Sequence, residues 1–399
     1  MTTTDTLFNH VRALADDIGA RPPASENERR AAAYVREQLS ALGIENIREQ
    51  LFNTPRSAGT TFLPLVALGA AFGLIGRAGR LGRIIGGIGL IWTVLETRRA
   101  LLMEPPSFVP LAVGGESRNI IARVAPTGET KRFVFLVAHL DSPKQRLTVP
   151  LRWLPFFTKS FLTGMLASAF LSGIGLILSG IFGRGRRPAR HEAAGARRQS
   201  PGNNLWGLLA SLAFDETQPI SDGANDNASG VAALLGLAET LRQRPLENTE
   251  VVLLFTGAAT AGGIGITSYL DQYAPPKDFS TWINLEMVGA TGSSLSYIAK
   301  GGLTHLTPYR AAPSITALTR ALAEKHPEYG VYGKDILILD ETAALRGRGY
   351  EAITLAGLDR GSLPRWHGTG DTSARLSPEL IERALKFTRV IIDAIDSGA

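Results

Sequence analysis

The sequence predicts one large α/β domain that carries apolar embellishments. The chain has 399 residues, which is enough to bury a full hydrophobic core. Short apolar runs rich in Val, Ile, Leu and aromatic residues, such as residues 132–138 and 280–286, are typical of buried strands. Helical patterns follow or separate these runs, as in residues 228–241 and 378–395. We therefore expect a central sheet with helices packed against it.

The N-terminal region is expected to begin with two helices that lead into paired strands. Residues 5–19 and 25–42 have helical patterns, and Ser25 is the expected N-cap of the second helix. Residues 46–52 and 117–124 alternate between apolar and polar side chains, as paired strands do. An insertion with long apolar runs separates these two strands.

Three residues that can bind a metal lie at the ends of predicted elements. His139 directly follows the strand at residues 132–138, so its imidazole is expected at the carboxyl end of the sheet, where open α/β folds place their chemistry. Asp226 lies just before the helix at residues 228–241, and Glu286 ends another strand. A histidine and two carboxylates brought to one edge of a sheet indicate a metal site.

The sequence around these residues resembles a known peptidase family. The first histidine lies in VAHLDS (residues 137–142), the aspartate in GANDNASG (223–230), and a second histidine in RWHGTGDT (365–372). In this order the motifs resemble metallopeptidase family twenty-eight, the co-catalytic zinc aminopeptidases and their glutamate carboxypeptidase-like relatives. The resemblance covers residues 6–55, 117–143 and 219–396. It implies a three-layer fold with a central mixed, mostly parallel sheet flanked by helices.

The resemblance also implies a role for each matching residue. His139 and Glu286 would bind one zinc ion, and Asp226 would bridge to a second. Asp141 would be a carboxylate that holds His139 in the tautomer needed for binding, as metal-bound histidines usually require. His367 would be the imidazole ligand of the second metal, although it is the weaker candidate.

One part of the family pattern is missing from this chain. A Glu-Glu pair is expected after the strand at residues 250–256, and Thr260 and Ala261 occupy its two positions. In the family the first glutamate is the general base that activates water, and the second binds the second metal. No Asp or Glu lies between Glu250 and Asp271, so a shifted alignment does not recover the pair. We therefore expect one zinc ion, or two if the second site is rescued.

Three functions are consistent with this pattern. The favoured one is a degenerate aminopeptidase-like protein with one metal site and weak or lost hydrolysis. The first alternative is an active metalloaminopeptidase or amidohydrolase, acting on a peptide or aminoacyl substrate, whose base comes from Asp340 or Glu341. The second is a non-enzymatic membrane scaffold that keeps the peptidase fold as a binding platform. Metal content separates the scaffold from the other two functions.

Composition narrows the chemistry and the partners. The chain has no cysteine, which excludes disulfides and thiolate ligands and leaves only N and O donors for a metal. Its formal charge of +6 and pI near 9.6 are compatible with nucleic-acid binding. However, much of the excess charge lies in Arg clusters beside apolar runs, which favours a membrane surface and no nucleic acid.

The apolar runs divide the chain into an α/β domain and two insertions. Residues 57–105 are expected to form a hydrophobic membrane hairpin, and residues 144–215 a membrane segment with an Arg-rich loop. The α/β domain is then assembled from residues 1–56, 106–143 and 216–399. Strands of one sheet flank the first insertion, and His139 and Asp226 of one site flank the second. Both ends of each insertion therefore lie on the same side of a bilayer, so each insertion crosses it either twice or not at all.

A lipid bilayer is the expected partner of these insertions. Residues 160–183 contain no charged side chain, and their 24 residues would span roughly 36 Å as a helix, more than the hydrocarbon core of about 30 Å. Small residues recur along this run, beginning with Gly164 and Gly175, at a spacing that lets membrane helices pack closely. The polar N-terminus favours an inner or plasma membrane with the α/β domain facing the cytoplasm. If the hairpins cross the membrane fully, their Arg-rich tips would instead favour the cytoplasm and the domain would face outward. The alternative is that these runs are core helices of a soluble lid.

Overall fold

The sheet is built from nine strands in the part of the chain that is described. The structure is a computed structural model that describes residues 3–108, 114–147, 155–183 and 201–398, without the side chains of 155–158 and 201–208. The strands are β1 (Ile47–Thr54), β2 (Gly115–Val124), β3 (Arg132–His139), β4 (Thr249–Thr256), β5 (Ser280–Glu286), β6 (Ser294–Gly301), β7 (Tyr309–Arg310), β8 (Tyr332–Asp335) and β9 (Glu351–Leu358).

The strands form one mixed sheet with a parallel centre. Their order is β1-β2-β4-β3-β5-β9-β6-β7, with β8 paired to β6. The central strands β4, β3, β5 and β9 are parallel, whereas β1, β2, β6 and β7 join them in antiparallel pairs. The expected α/β fold is therefore confirmed. The parallel centre places the carboxyl ends of neighbouring strands side by side at one edge.

Helices pack on both faces of this sheet. Those of the α/β domain are α1 (Thr4–Arg12), α2 (Glu26–Ala41), α7 (Ser229–Gln243), α8 (Ile264–Tyr273), α9 (Pro313–Lys325), α10 (Glu341–Gly347) and α11 (Pro378–Asp396). Alternate side chains of β3 divide between two cores. Leu136 packs with residues of α1, α2, α7 and α11, and Phe135 packs with residues of α8 and α10. The expected three-layer arrangement is thus formed.

The predicted N-terminal elements are present with small shifts of their ends. α1 continues through π-type turns over Ala13–Ile18, and the hydroxyl of Ser25 caps α2 by accepting a hydrogen bond from the Glu28 amide. β1 and β2 pair in antiparallel fashion, as their alternating sequences predict. β1 and β2 extend the sheet beyond β4, which pairs with β3, the strand that ends at His139.

Four further helices come from the two apolar stretches. They are α3 (Gly59–Ile75), α4 (Gly79–Ala100), α5 (Pro155–Phe182) and α6 (Pro201–Glu216). The backbones of α4 and α5 approach closely at Gly87 and Gly173, since a Cβ on Gly87 would lie 2.5 Å from the Gly173 carbonyl oxygen. Gly164 and Gly175 meet nothing within 4 Å. The close contact of α5 with α4 at this point therefore uses Gly173 and neither Gly164 nor Gly175.

One of these helices is long and apolar enough to span a membrane. Within Lys159–Phe182 of α5, the apolar 18-residue part has a mean hydropathy of 2.0, and 17% of that part is buried. Its outward side chains include Leu171, which is 66% exposed, and Phe182, which is 75% exposed. A core helix of a soluble protein would be mostly covered. The Arg-rich loop predicted at residues 184–198 lies outside the described residues.

Arg21 joins the N-terminal region to the edge of the sheet. Its guanidinium is fully buried and donates to the carbonyl oxygens of Leu14 (2.7 Å), Leu140 (2.8 Å), Asp222 (2.8 Å) and Gly223 (2.9 Å). Burial lowers the pKa of Arg21 to about 10, so the group stays charged at neutral pH. These bonds fix the loop that leads to Asp226 against the loop that follows His139. The sequence analysis did not identify this residue.

We expect Arg21→Met to lower the free energy of unfolding by about 3 kcal/mol, because several buried carbonyl oxygens lose a charged donor at once. Chemical denaturation of the purified protein measures this loss. The matched control is Arg29→Met, which removes an arginine that is 58% exposed and pairs with Glu26 on the surface of α2. A similar loss in both variants would contradict the proposed linking role.

Candidate metal centre

Three predicted ligand residues meet at the carboxyl edge of the sheet. His139 and Glu286 are the last residues of β3 and β5, which are adjacent parallel strands. Asp226 lies in the loop before α7, and its peptide bond to Asn227 is cis. All three side chains are buried, and their ligand atoms lie within 4.8 Å of one another. The fold therefore brings together the residues that the sequence placed at the ends of separate elements.

The distances among these atoms fit a zinc ion. His139 Nε2 lies 3.3 Å from Asp226 Oδ1 and 3.4 Å from Glu286 Oε1. Bonds of about 2.0–2.1 Å in tetrahedral geometry require ligand atoms roughly 3.3 Å apart. In addition, the buried Asp226 Oδ2 has no hydrogen-bond partner among the described residues. An unsatisfied carboxylate oxygen beside two further ligands is the donor set that a metal would complete.

The charges of the site also favour a cation. Burial acts to lower the pKa of His139, but Glu286, Asp141 and Asp226 together raise it well above its usual value. Burial raises the pKa of Glu286 to about 7, although His139 partly opposes this. Carboxylates are thus held in a dry place where their negative charge is costly. A divalent cation at their centre would offset that cost and displace protons as it binds.

Asp141 orients His139, but mainly through its backbone. His139 Nδ1 lies 2.9 Å from the Asp141 carbonyl oxygen and 3.4 Å from its carboxylate Oδ1. The carboxylate instead accepts hydrogen bonds from the amides of Ala259 (3.0 Å) and Thr260 (2.8 Å) and from the Thr260 hydroxyl (2.6 Å). The expected residue is therefore in place, whereas the closest contact comes from the carbonyl. The carboxylate holds the loop after β4, because that loop offers three donors.

The loop after β4 brings no carboxylate to the metal ligands. Thr260 lines the cavity beside them, with its hydroxyl committed to Asp141. Ala261 is fully buried and packs with Ala258, Ile264 and Phe52. The two positions that would carry glutamates in the family are thus a hydroxyl and a methyl group in this chain.

His367 lies near the group without completing a second site. Its Nε2 is 3.9 Å from Asp226 Oδ2, and its side chain is 21% exposed. Burial and the nearby Arg146 lower the pKa of His367 to about 4, so the imidazole is neutral and able to bind a metal at neutral pH. Within the described ranges, the one cluster of three ligands is His139, Asp226 and Glu286. His367 and Asp226 therefore form only a partial second position.

The neighbours Asp340 and Glu341 differ sharply in their surroundings. The carboxylate of Asp340 accepts from Tyr309 Oη (2.6 Å), Thr354 Oγ1 (2.7 Å) and the Thr342 amide (3.1 Å), so it caps α10. Both oxygens of Glu341 are buried, and no hydrogen bond of good geometry reaches them in the part of the chain that is described, although the Thr256 hydroxyl is close enough to oppose the rise in the pKa of Glu341. Burial raises the pKa of Glu341 to about 8, and the residue lines the same cavity as the metal ligands.

Asp371 supports the site through hydrogen bonds to the backbone beside Asp226. It lies in the RWHGTGDT motif (residues 365–372), and no role was predicted for it. Its carboxylate accepts from the amides of Asn225 (2.7 Å) and Asp226 (3.0 Å). Burial and the charge of Asp226 raise the pKa of Asp371 to about 6. The Asn225 side chain in turn accepts from the Gly289 amide at 2.8 Å, just beyond Glu286. The sequence feature that could have identified Asp371 is its position four residues after His367 in the Gly-rich loop.

Comparisons with known proteins agree with this architecture. A sequence model of peptidase family M28 matches residues 208–392. Aminopeptidase YwaD of Bacillus subtilis (strain 168) is 30% identical over 112 residues, which cover 28% of this chain and 24% of that protein. The aligned part thus spans about a quarter of this relative's length.

Solved structures resemble the whole chain at low identity. A leucine aminopeptidase precursor from Bacteroides thetaiotaomicron VPI-5482 has a TM-score of 0.56 at 16% identity, covering 98% of this chain and 97% of that one. The zinc aminopeptidase BSAP from Bacillus subtilis scores 0.56 at 14% identity, covering 98% and 94%. Porphyromonas gingivalis glutaminyl cyclase also scores 0.56 at 14%, covering 98% of both chains. These similarities show a shared fold.

We expect the purified protein to bind about one zinc ion per chain, because three ligands serve one position and two serve the other. His139→Ala should abolish binding, whereas His367→Ala should weaken it little. Elemental analysis and calorimetric titration measure both effects, and His326→Ala, at the surface end of α9, is the control. Two ions per chain, or full binding by His139→Ala, would show that the ligands are assigned wrongly.

Proposed function

Because a sequence model of peptidase family M28 matches residues 208–392, we propose that this chain belongs to that family and is a membrane-associated metallohydrolase with one zinc site. The observation that carries the proposal is the buried group of His139, Asp226 and Glu286, whose ligand atoms are spaced for zinc. Three protein ligands leave a fourth position open, as in catalytic sites. The names of the similar structures suggest a peptide or aminoacyl amide as substrate.

Each residue of the site has a separate task in this proposal. The three ligands would hold the ion, while the Asp141 carbonyl fixes the orientation of the His139 ring. Zinc, when bound, would polarise the scissile carbonyl as a Lewis acid. Asp371 accepts hydrogen bonds from the amides of Asn225 and Asp226, so that the Asp226 carboxylate keeps its place at the edge of the sheet.

Hydrolysis by the family's usual route is not supported by the loop after β4. A general base typically contributes about 10² to 10⁴ in rate, and the hydroxyl of Thr260 cannot replace it because a threonine has no accessible pKa. Ala261 supplies no ligand for a second ion. The protein proposed here therefore lacks the family's general base and one ligand of the second metal, and its aminopeptidase turnover is weak or lost.

A second candidate function, an active hydrolase, is favoured by Glu341. Its carboxylate is buried, no hydrogen bond of good geometry reaches it among the described residues, and it faces the cavity that contains the metal ligands. Its raised pKa, about 8, keeps this carboxyl protonated at neutral pH without a metal, and a cation bound nearby would favour the carboxylate form. That carboxylate could accept a proton from water, which is the task of the missing glutamate. Asp340 is excluded from this role because three donors already occupy its carboxylate.

We expect little aminopeptidase turnover from the wild type and a rise in zinc content toward two ions in the double variant Thr260→Glu, Ala261→Glu. The added carboxylates restore a base and the missing ligand, and turnover measured on aminoacyl nitroanilides should increase. The control variant Thr260→Gln, Ala261→Gln has similar volume without charge. Robust wild-type turnover that disappears in Glu341→Gln, with zinc content unchanged, would contradict degeneracy and establish the second candidate.

Membrane association is supported by the exposed apolar surface of α5. The helix is long enough to span a bilayer, and most of this stretch is not covered by the rest of the protein. The proposed orientation places the α/β domain on the cytoplasmic side of an inner or plasma membrane, where basic side chains meet anionic head groups.

The full-length protein should sediment with membranes, resist extraction by high salt and dissolve in detergent, because the attachment is apolar. Leu171→Asp should weaken this retention, since it places a charge on the exposed face of α5. Leu51→Asp is the matched control, because Leu51 is 54% exposed but lies on β1. Release of the wild type by salt alone would mean that only the basic clusters bind the membrane. Solubility without detergent would overturn the proposal.

A further inference from the structure

A single cavity connects the metal ligands with the interior of the apolar helices. Its volume is about 230 Å³. At one end lie His139, Asp226, Glu286, Glu341 and His367. From there the cavity extends between α3, α4, α5 and α6. The open side of the proposed zinc site therefore faces the helices that are proposed to contact the membrane.

The walls of the cavity beyond the metal ligands are apolar. They include Phe62 and Leu65 of α3, Leu90 and Val94 of α4, and Met165 and Ala169 of α5. Arg146 also lines the cavity, but it lies beside His367, and its guanidinium is 3.7 Å from the Glu216 carboxylate. The two threonines on the wall do not change its apolar character. The hydroxyl of Thr93 donates to the Gly89 carbonyl at 2.8 Å, and that of Thr97 donates to the Thr93 carbonyl at 2.8 Å. Neither hydroxyl proton is available to a ligand in the cavity.

The apolar part is long compared with one amino-acid side chain. Lining residues run from Ala58, the N-cap of α3, to Gly69 within it, which corresponds to roughly 16 Å at about 1.5 Å per residue. Along α4 they run over a similar length, from Leu90 to Leu101, the C-cap. A water-soluble peptide offers nothing that would fill such a wall. A hydrocarbon chain, by contrast, fits a long cavity that is polar at one end only.

We propose that this cavity binds the acyl chain of an N-acyl amide and places the amide carbonyl at the metal ligands. The proposal rests on the second candidate function given above, an active hydrolase at those ligands. In the reaction, water adds to the carbonyl carbon and the C–N bond breaks. The products are a fatty acid and an amine, and the amine receives the proton that water loses. An amphiphile of this kind resides in a bilayer, which is where α5 presents its outer face.

The test uses N-dodecanoylglycine with a photoreactive diazirine in the acyl chain, added to the full-length zinc-loaded protein in phosphatidylcholine nanodiscs. Mass spectrometry maps the labelled residues after illumination. We expect labels at cavity positions such as Leu65 and Met165. Excess unlabelled N-dodecanoylglycine should suppress these labels, whereas N-acetylglycine should not, because it lacks the chain that the cavity binds.

A pair of variants on one helix tests the location. Ala169→Trp fills the cavity from α5, while Leu171→Trp adds the same side chain on the exposed face two residues away. Each methylene that loses its contact changes affinity about fourfold, so the loss of two or more should weaken half-saturation of labelling over tenfold. Leu171→Trp should label as the wild type does. Zinc content, measured for both variants, reports whether the site is intact.

The outcomes separate this inference from the proposed function. Labels that appear equally on lining and exposed positions, and that resist competition, would show contact with bilayer lipid only and overturn the inference. Zinc binding without competed labels would overturn it as well, while the metal site would stand. Competed labels at Leu65 and Met165 without zinc binding would support the acyl cavity and refute the metallohydrolase. Because competition is measured on the wild type, an unfolded variant does not decide the result.

Discussion

The burial of two carboxylates beside an imidazole is the constraint on which the site depends. Parallel pairing of β3 and β5 places His139 and Glu286 on adjacent strand ends, and Asp226 is held opposite them by its loop. Such a group is unstable in a dry protein interior unless a cation or protons neutralise it. Arg21 and Asp371 supply the hydrogen bonds that keep the surrounding loops in place. A zinc ion would complete a structure that is already arranged around it.

The apolar helices and the metal ligands form one functional unit in this account. α4 and α5 pack closely through glycines, leaving an apolar cavity on one side and an exposed apolar surface on the other. A substrate drawn from a bilayer needs both, because the outer surface positions the protein and the cavity receives a chain. The missing Glu-Glu pair removes the family's general base. The buried Glu341, which lines the same cavity, is the candidate to replace that base.

The sequence predicted those parts of the site that depend on local pattern. His139, Asp226 and Glu286 were identifiable because each lies at the end of a strand or the beginning of a helix, where direction follows from the element itself. Arg21 was not, because its partners Leu140 and Gly223 lie far away in the chain and no short pattern links them. Likewise, spacing predicted that glycines of α5 pack closely, but only the position of α4 selects Gly173.

X-ray absorption spectroscopy at the zinc edge of the detergent-purified, zinc-loaded protein distinguishes a one-metal site from a two-metal site. We expect one imidazole nitrogen at about 2.0 Å together with oxygen ligands, and no metal–metal scattering. A zinc–zinc distance of about 3.5–4 Å would contradict this expectation, because that signal requires a two-metal site. A spectrum with two imidazoles on one ion would also contradict it, since His367 would then belong to the same site.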